Sequence, residues 1–169
     1  MTTTSERITF PPAVVKAMQA ELPAVAEHTV ATIVVEVPSY ADAFAGEMGR
    51  AISNAVRLAL GGFLDLVTAT GGVDPSRPVG PALEGAYALG RGEARSGRSM
   101  DSLLAAYRVG ARVSWRHMSD TAVAAGLTVG SLARFAELVF AYIDQLSASS
   151  VAGHTDELAT TGRVRRHHL

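Results

Sequence analysis

Cysteine is absent from this 169-residue chain, which excludes disulfides, thiolate metal centres and a cysteine nucleophile. Lysine is nearly absent. Lys16 is the only one, and no glycine-rich loop precedes it, so a Walker-type phosphate loop is excluded. Charge of either sign is sparse: charged residues make up 18% and the net charge is -1, so no basic field argues for nucleic acid. No apolar run of membrane length stands free of charge or glycine, and the start, Met1 to Glu6, lacks the basic-then-apolar layout of a signal peptide. A cytoplasmic location is the expectation. Enzyme signatures are missing too. There is no GxSxG elbow and no HExxH pair. Gly90-Arg-Gly92 is half a dinucleotide fingerprint with no strand before it. Asp156 and Glu157 are adjacent, which is a solvated pair and not an acid/base couple.

What is present is apolar residue at helical spacing. Hydrophobic residues make up 48% of the chain, a globular composition with enough length for one core. Pro11 and Pro12 suit a first helical turn, giving a short helix from Pro12 to about Leu22. Pro23 should start a second, which Pro38 ends. The β-branched stretch Thr29 to Val37 makes a strand the competing reading, but Ala26, Val30, Ile33 and Val37 recur at helical spacing. Residues 46–68 carry the stripe Met48, Ile52, Val56, Leu60, Phe63 and Val67. After a loop over residues 73–80 a helix runs from Pro81 to Ser96, stopped by Gly97. Ser99 caps the next, which reaches about Ala125 with Leu103, Tyr107, Ala111, Trp115 and Met118 on its buried side. Thr128 caps a last long helix, with Leu132, Phe135, Val139, Tyr142 and Leu146 inward, that continues towards Thr161. The spacing therefore predicts an all-α chain of six or so helices: a flexible start over residues 1–10, one domain over 11–162, and a basic stub over 163–169 leading to a further domain.

Several constellations carry more than one reading. Ala82, Ala86, Gly90 and Ala94 lie four apart on one helix face, and Ala106, Gly110 and Ser114 do the same on the next. Glycine inside a helix costs roughly 1 kcal/mol against alanine, so Gly90 and Gly110 point to a close crossing of two helices. A ligand slot is the alternative. Tyr107, Trp115, Phe135 and Tyr142 are expected in the core. Arg108, Arg112 and Arg116 form a row at i, i+4, i+8, where like charges repel slightly. That row is either an anion site or a salt-bridged face, with Glu93, Glu84, Glu137 and Asp120 as candidate partners. Five histidines raise the question of haem or metal, but no pair has ligand spacing, and no cofactor is expected. Asp120 to Phe135 reads as a helix-turn-helix, weakened by its long flanking helices and by Arg134 as the only basic group of the would-be recognition helix.

The segment Ala88 to Trp115, ALGRGEARSGRSMDSLLAAYRVGARVSW, resembles the amino-terminal domain shared by RsbR-type co-antagonists of RsbT and actinobacterial PucR-family transcription regulators. Val139 to Ser150, VFAYIDQLSASS, is similar to the same domain. The resemblance covers roughly residues 20–165 and brings no catalytic residue. It implies a globin-like helical bundle without haem, a homodimer, and a sensory domain in front of a carboxy-terminal DNA-binding part. On this reading DNA is a partner only through that further domain, and the signal is an unnamed small molecule or protein. A haem- or cofactor-binding sensor, or direct DNA binding through residues 120–135, are the alternatives. The end of the last helix, with Ala148, Val151, Ala152 and Leu158 among polar residues, independently points to a homodimer. A lone helix end of that kind is marginal in water.

Overall fold

The computed structural model describes residues 10–41, 47–68 and 80–167. It is all-α. Helix α1 spans Pro12–Glu36, and a single 3-10 turn follows at Pro38–Tyr40. Then come α2 at Glu47–Thr68, α3 at Pro81–Arg95, α4 at Asp101–Ala124 and α5 at Val129–His167. The expected loop over 73–80 lies, but for Gly80, outside the described residues.

The first two expected helices are one. Pro23 sits inside α1 and does not start a new helix. An internal proline removes one hydrogen bond and crowds the preceding turn. Here Pro23 is exposed, and so is Gln19, whose carbonyl loses its donor, so water can serve that carbonyl. The buried positions Val14, Met18, Val25, Thr29 and Ile33 continue in one stripe across it. Packing of that stripe overrides the local preference, and the strand reading of Thr29 to Val37 fails with it.

Ser99, expected as the cap of α4, stands one residue before the N-cap Met100, which makes no side-chain cap bond, and its hydroxyl accepts from the Asp101 N–H at 3.3 Å; three other stops and starts follow the sequence. Gly97 and Gly126 take positive φ, 75° and 104°, and each closes its helix with the paired bonds of a left-handed cap. At the first, the Arg98 N–H donates to the Glu93 carbonyl and that of Gly97 to Ala94; at the second, Leu127 donates to Ala122 and Gly126 to Val123. The Thr128 hydroxyl accepts from the Ser131 N–H at 3.3 Å, capping α5.

The core has two parts. The larger gathers Phe63, Leu64, Met118, Phe135, Val139 and Tyr142; the smaller joins Ile33, Tyr40, Ile52, Leu89 and Leu103. Phe10 was expected at the end of a flexible start. Instead it is buried, with its ring edge-on to Phe135 at 5.2 Å. Phe135 and Tyr142 are fully inside as expected, whereas Tyr107 and Trp115 are half-buried. The Trp115 ring still lies 5.1 Å from that of Phe135. Helix α2 is long and apolar enough to cross a membrane by length and composition alone. Its Ile52, Leu60, Phe63 and Leu64 are buried in the protein, while 22% of that apolar stretch as a whole is buried.

Candidate functional site

The small residues of α3 and α4 were expected to bring those two helices together. They do two different things. Helix α3 lays its small face on α5. A Cβ built on Gly90 would fall 1.8 Å from the Ser150 carbonyl oxygen, and one built on Gly153 would fall 2.1 Å from that of Tyr87. The two backbones therefore touch, and each glycine makes room for the other chain. The buried Ser150 hydroxyl fills the seam, donating to the Ala86 carbonyl at 2.6 Å with the Tyr107 hydroxyl 2.7 Å away. Ser149 donates to the Leu83 carbonyl. Ala94 lies half-buried further along α3.

Gly110 is at no such crossing. Its nearest neighbour would be the Thr29 methyl at 3.6 Å, an ordinary contact. Helix α4 packs on α1, and its small residues Ala106, Gly110 and Ser114 border open space. That space is a cavity of about 110 Å³ at the centre of the bundle, to which every helix contributes a wall. Ala55, Ala59, Ala82, Ala86, Ala106 and Gly110 leave it open, and Leu60, Phe63, Leu103 and Met118 make it apolar. The slot reading of the small residues is thus the one the geometry favours on α4, and the crossing reading the one it favours on α3.

Polar groups on the wall are few. The Tyr142 hydroxyl donates to the Ala59 carbonyl at 2.8 Å. Tyr107 is held by Ser150, and Ser114 donates back to the Gly110 carbonyl. Burial raises the pKa of both tyrosines above the ordinary 10.0; for Tyr107, with the Ser150 hydrogen bond opposing, it is pushed up to about 12. Thr29 is different. It is 3% exposed, and among the described residues its hydroxyl oxygen has no hydrogen-bond partner. A buried hydroxyl left so costs about 1–3 kcal/mol. Thr32, one turn on, donates back to the His28 carbonyl; no such bond holds Thr29.

Haem does not fit this cavity. Its volume is well below the several hundred Å³ of sites for larger ligands, and among the described residues no histidine lines it. His28 is exposed on α1. His117 stands 3.0 Å from Glu21, and His154 stands 2.9 Å from the Arg98 carbonyl. His168 lies outside the described residues, and nothing is described of the His167 side chain. Among the described residues no cluster of three metal-ligating side chains occurs.

The charged residues singled out from the sequence are dispersed. Glu93 was a candidate partner of the arginine row but pairs with Arg98 at 3.0 Å, because α3 turns its face to α5 and not to α4. Glu93 is fully buried there. The Tyr40 hydroxyl lies beside it, and burial first, then Glu93, drives the tyrosine pKa upward. The Arg98 guanidinium lies 5.7 Å over the Tyr40 ring. Arg112 pairs with Glu36. Arg108 and Arg116 are exposed and make no ion pair among the described residues. Arg112 and Arg116 share a surface groove with Glu21, Glu36 and Asp120, so both signs mix there. Glu137 pairs with Arg134. The helix-turn-helix reading of residues 120–135 meets a 24-residue α4 and a 39-residue α5, with Leu127 and Phe135 in the core.

Sequence reasoning missed Ser150 and Gly153. It set Ala148, Val151 and Ala152 among residues that are merely polar. The available signal was the spacing Ser149/Ser150 to Gly153, small residues on one face of a long helix.

This arrangement defines a class before it defines a family: a helical bundle around an apolar cavity, with its polar groups spent on holding α5 in place. A family model described as the PucR-like N-terminal domain matches residues 8–169. The chain belongs to that family, and with it to the regulatory amino-terminal domains of PucR-family regulators. Comparison with curated proteins and with solved structures finds no match.

Proposed function

We propose that this chain is a non-catalytic, signal-sensing and dimerising domain of a cytoplasmic transcription regulator, globin-like in its helical packing. DNA is reached through an output domain elsewhere in the regulator. The signal acts on the packing of the bundle, and α5 carries the change onward, a two-state mechanism in which one packing is favoured over another.

The observation that carries this reading is α5. It runs for 39 residues. Besides its buried Phe135, Val139, Tyr142 and Leu146 it carries Phe140, Val151 and Leu158 at 49%, 41% and 53% exposure, with Ala148 and Ala152 exposed between them. Exposed apolar residues on one long helix suit a twofold contact with a second copy, the commonest oligomer geometry. Light scattering at micromolar concentration tests it. A dimeric mass is expected for the chain, and a monomeric mass for the double variant Val151→Glu/Leu158→Glu with unchanged helical circular dichroism. A monomer in the parent chain across that range removes the dimer.

A further inference from the structure

We infer that the central cavity is a binding site for a small neutral molecule, apolar over most of its surface and carrying one hydroxyl or carbonyl group, which Thr29 recognises. This deepens the sensing role proposed above by giving the signal a chemical class.

Three observations fix the class. The first is size. A cavity of about 110 Å³ is of the order of the engineered apolar cavity of about 150 Å³ that takes up benzene, so the occupant is about one six-membered ring or a short alkyl chain. The second is charge. None of the described residues lining the cavity is Asp, Glu, Lys, Arg or His, so an ionised ligand would be buried among them without a counter-charge, which is prohibitive. The third is the Thr29 hydroxyl. Thr29 lines the cavity and is buried, and its hydroxyl oxygen lacks a partner among the described residues, while the hydroxyls of Tyr107, Ser114 and Tyr142 are engaged. A water there needs two to four polar partners, and among the described hydroxyls of the wall Thr29 alone has a proton still to donate. A ligand that brings its own polar group on an apolar body satisfies Thr29 and fills the rest.

The walls give such a ligand a way to matter. It would touch Thr29 and Ile33 on α1 and Tyr142, Ile143 and Leu146 on α5, so its occupancy is read by the first and last helices together.

Phenol and benzene are the probes, the second being the first without its hydroxyl. Both are titrated calorimetrically into the 169-residue chain and into the variants Thr29→Val and Ala106→Leu. Thr29→Val keeps the shape and removes an unpaired hydroxyl, so it should fold as well as the parent or better. Expected are one saturable site with a Kd on the order of a millimolar or tighter, phenol binding weakened about fivefold to tenfold in Thr29→Val with benzene not weakened, and both probes excluded by Ala106→Leu. If Ala106→Leu fails to fold, the phenol-to-benzene ratio in Thr29→Val decides alone. No saturable binding of either probe up to about ten millimolar overturns the site. An unchanged ratio in Thr29→Val overturns the recognition by Thr29. Binding is read directly, so its failure leaves the dimer test standing, and loss of the dimer leaves the binding result standing.

Discussion

Replacing Gly90 by alanine should push α3 and α5 apart. The added carbon would sit 1.8 Å from the Ser150 carbonyl oxygen and 2.7 Å from its carbon. A carbon and a carbonyl oxygen across a helix interface ordinarily stay about 3.3 Å apart, so one backbone must retreat by roughly 1.5 Å. The obstacle is main chain, which cannot swing away as a side chain can. A retreat of that size stretches the Ser150 bond to Ala86 and the Ser149 bond to Leu83, now 2.6 and 3.1 Å, past useful length. Each is worth about 1 kcal/mol net, and overpacking itself costs about 1–3 kcal/mol. Alanine returns at most about 1 kcal/mol through helix propensity. The balance is a loss of about 3 kcal/mol, which for a domain of this size lowers Tm by roughly 6–12 °C.

The controls use the same substitution where space exists. Nothing stands within 4 Å of a Cβ at Gly61, and Gly110 meets only a methyl at 3.6 Å. Both Gly61→Ala and Gly110→Ala should therefore leave Tm unchanged or raise it by the few degrees that up to about 1 kcal/mol of propensity implies. Thermal melting followed by circular dichroism at fixed protein concentration reads all three. A Gly90→Ala variant that melts within about two degrees of the parent, with the controls behaving as stated, would refute the backbone crossing.

All four tyrosines lie above their ordinary pKa of 10.0, Tyr107 through burial up to about 12 and Tyr87 through its hydrogen bond to Asp156. Absorbance titration of tyrosinate should show little ionisation at pH 10 while the helices persist, and the stabilisation from Tyr107 should fade between pH 10 and 12; half-ionisation at pH 10 in the folded chain contradicts this. Glu93→Ala leaves the Arg98 guanidinium, 27% exposed, beside a buried gap and should cost about 2–3 kcal/mol by urea unfolding; an unchanged midpoint would show the pair to be idle. Arg95 first and Arg91 second hold the Glu157 carboxyl below its ordinary 4.5, so its contribution is full above that value and lost as pH falls through the lowered one. Glu157→Gln should then shrink the acid loss of stability, and an identical acid limb in both proteins argues against it.

The helices were legible where apolar spacing is local. The stripes on α2, α4 and α5, the caps at Gly97 and Gly126, and the Thr128 start follow from residues within a turn of one another, so the chain states them directly. Pro23 was misread because a proline's local penalty is visible in sequence, while the stripe that overrides it is secured by contacts with α2 and α4. The partner of α3 was misread for a related reason. Gly90 announces a close approach without naming the other backbone, and its complement, Gly153, lies 63 residues later in a stretch whose serines look solvated. Ser150 is buried and Ser149 half-buried because carbonyls at a tight crossing offer a serine hydroxyl the acceptors that water would otherwise supply. The cavity is the least legible feature, since a volume left between five faces is a property of none of them.

The crossing and the cavity constrain each other along α5. Tyr142, Ile143 and Leu146 wall the cavity. One to two turns on, Ser150 and Gly153 lie against the α3 backbone, and Asp156 and Glu157 are tied to Tyr87, Arg91 and Arg95. At 1.5 Å per residue the cavity wall at Tyr142 is about 16 Å from Gly153, and the end of the helix at His167 about 21 Å beyond it. A backbone contact without side chains between is short and stiff, so a push on Ile143 or Leu146 cannot be absorbed there by rotamer changes. The stretch beyond Gly153 must then either tilt about the crossing or resist the push entirely. The exposed apolar residues Val151 and Leu158 straddle that pivot, and a small displacement at the cavity would therefore be felt as a change of angle at the surface proposed to hold the second copy.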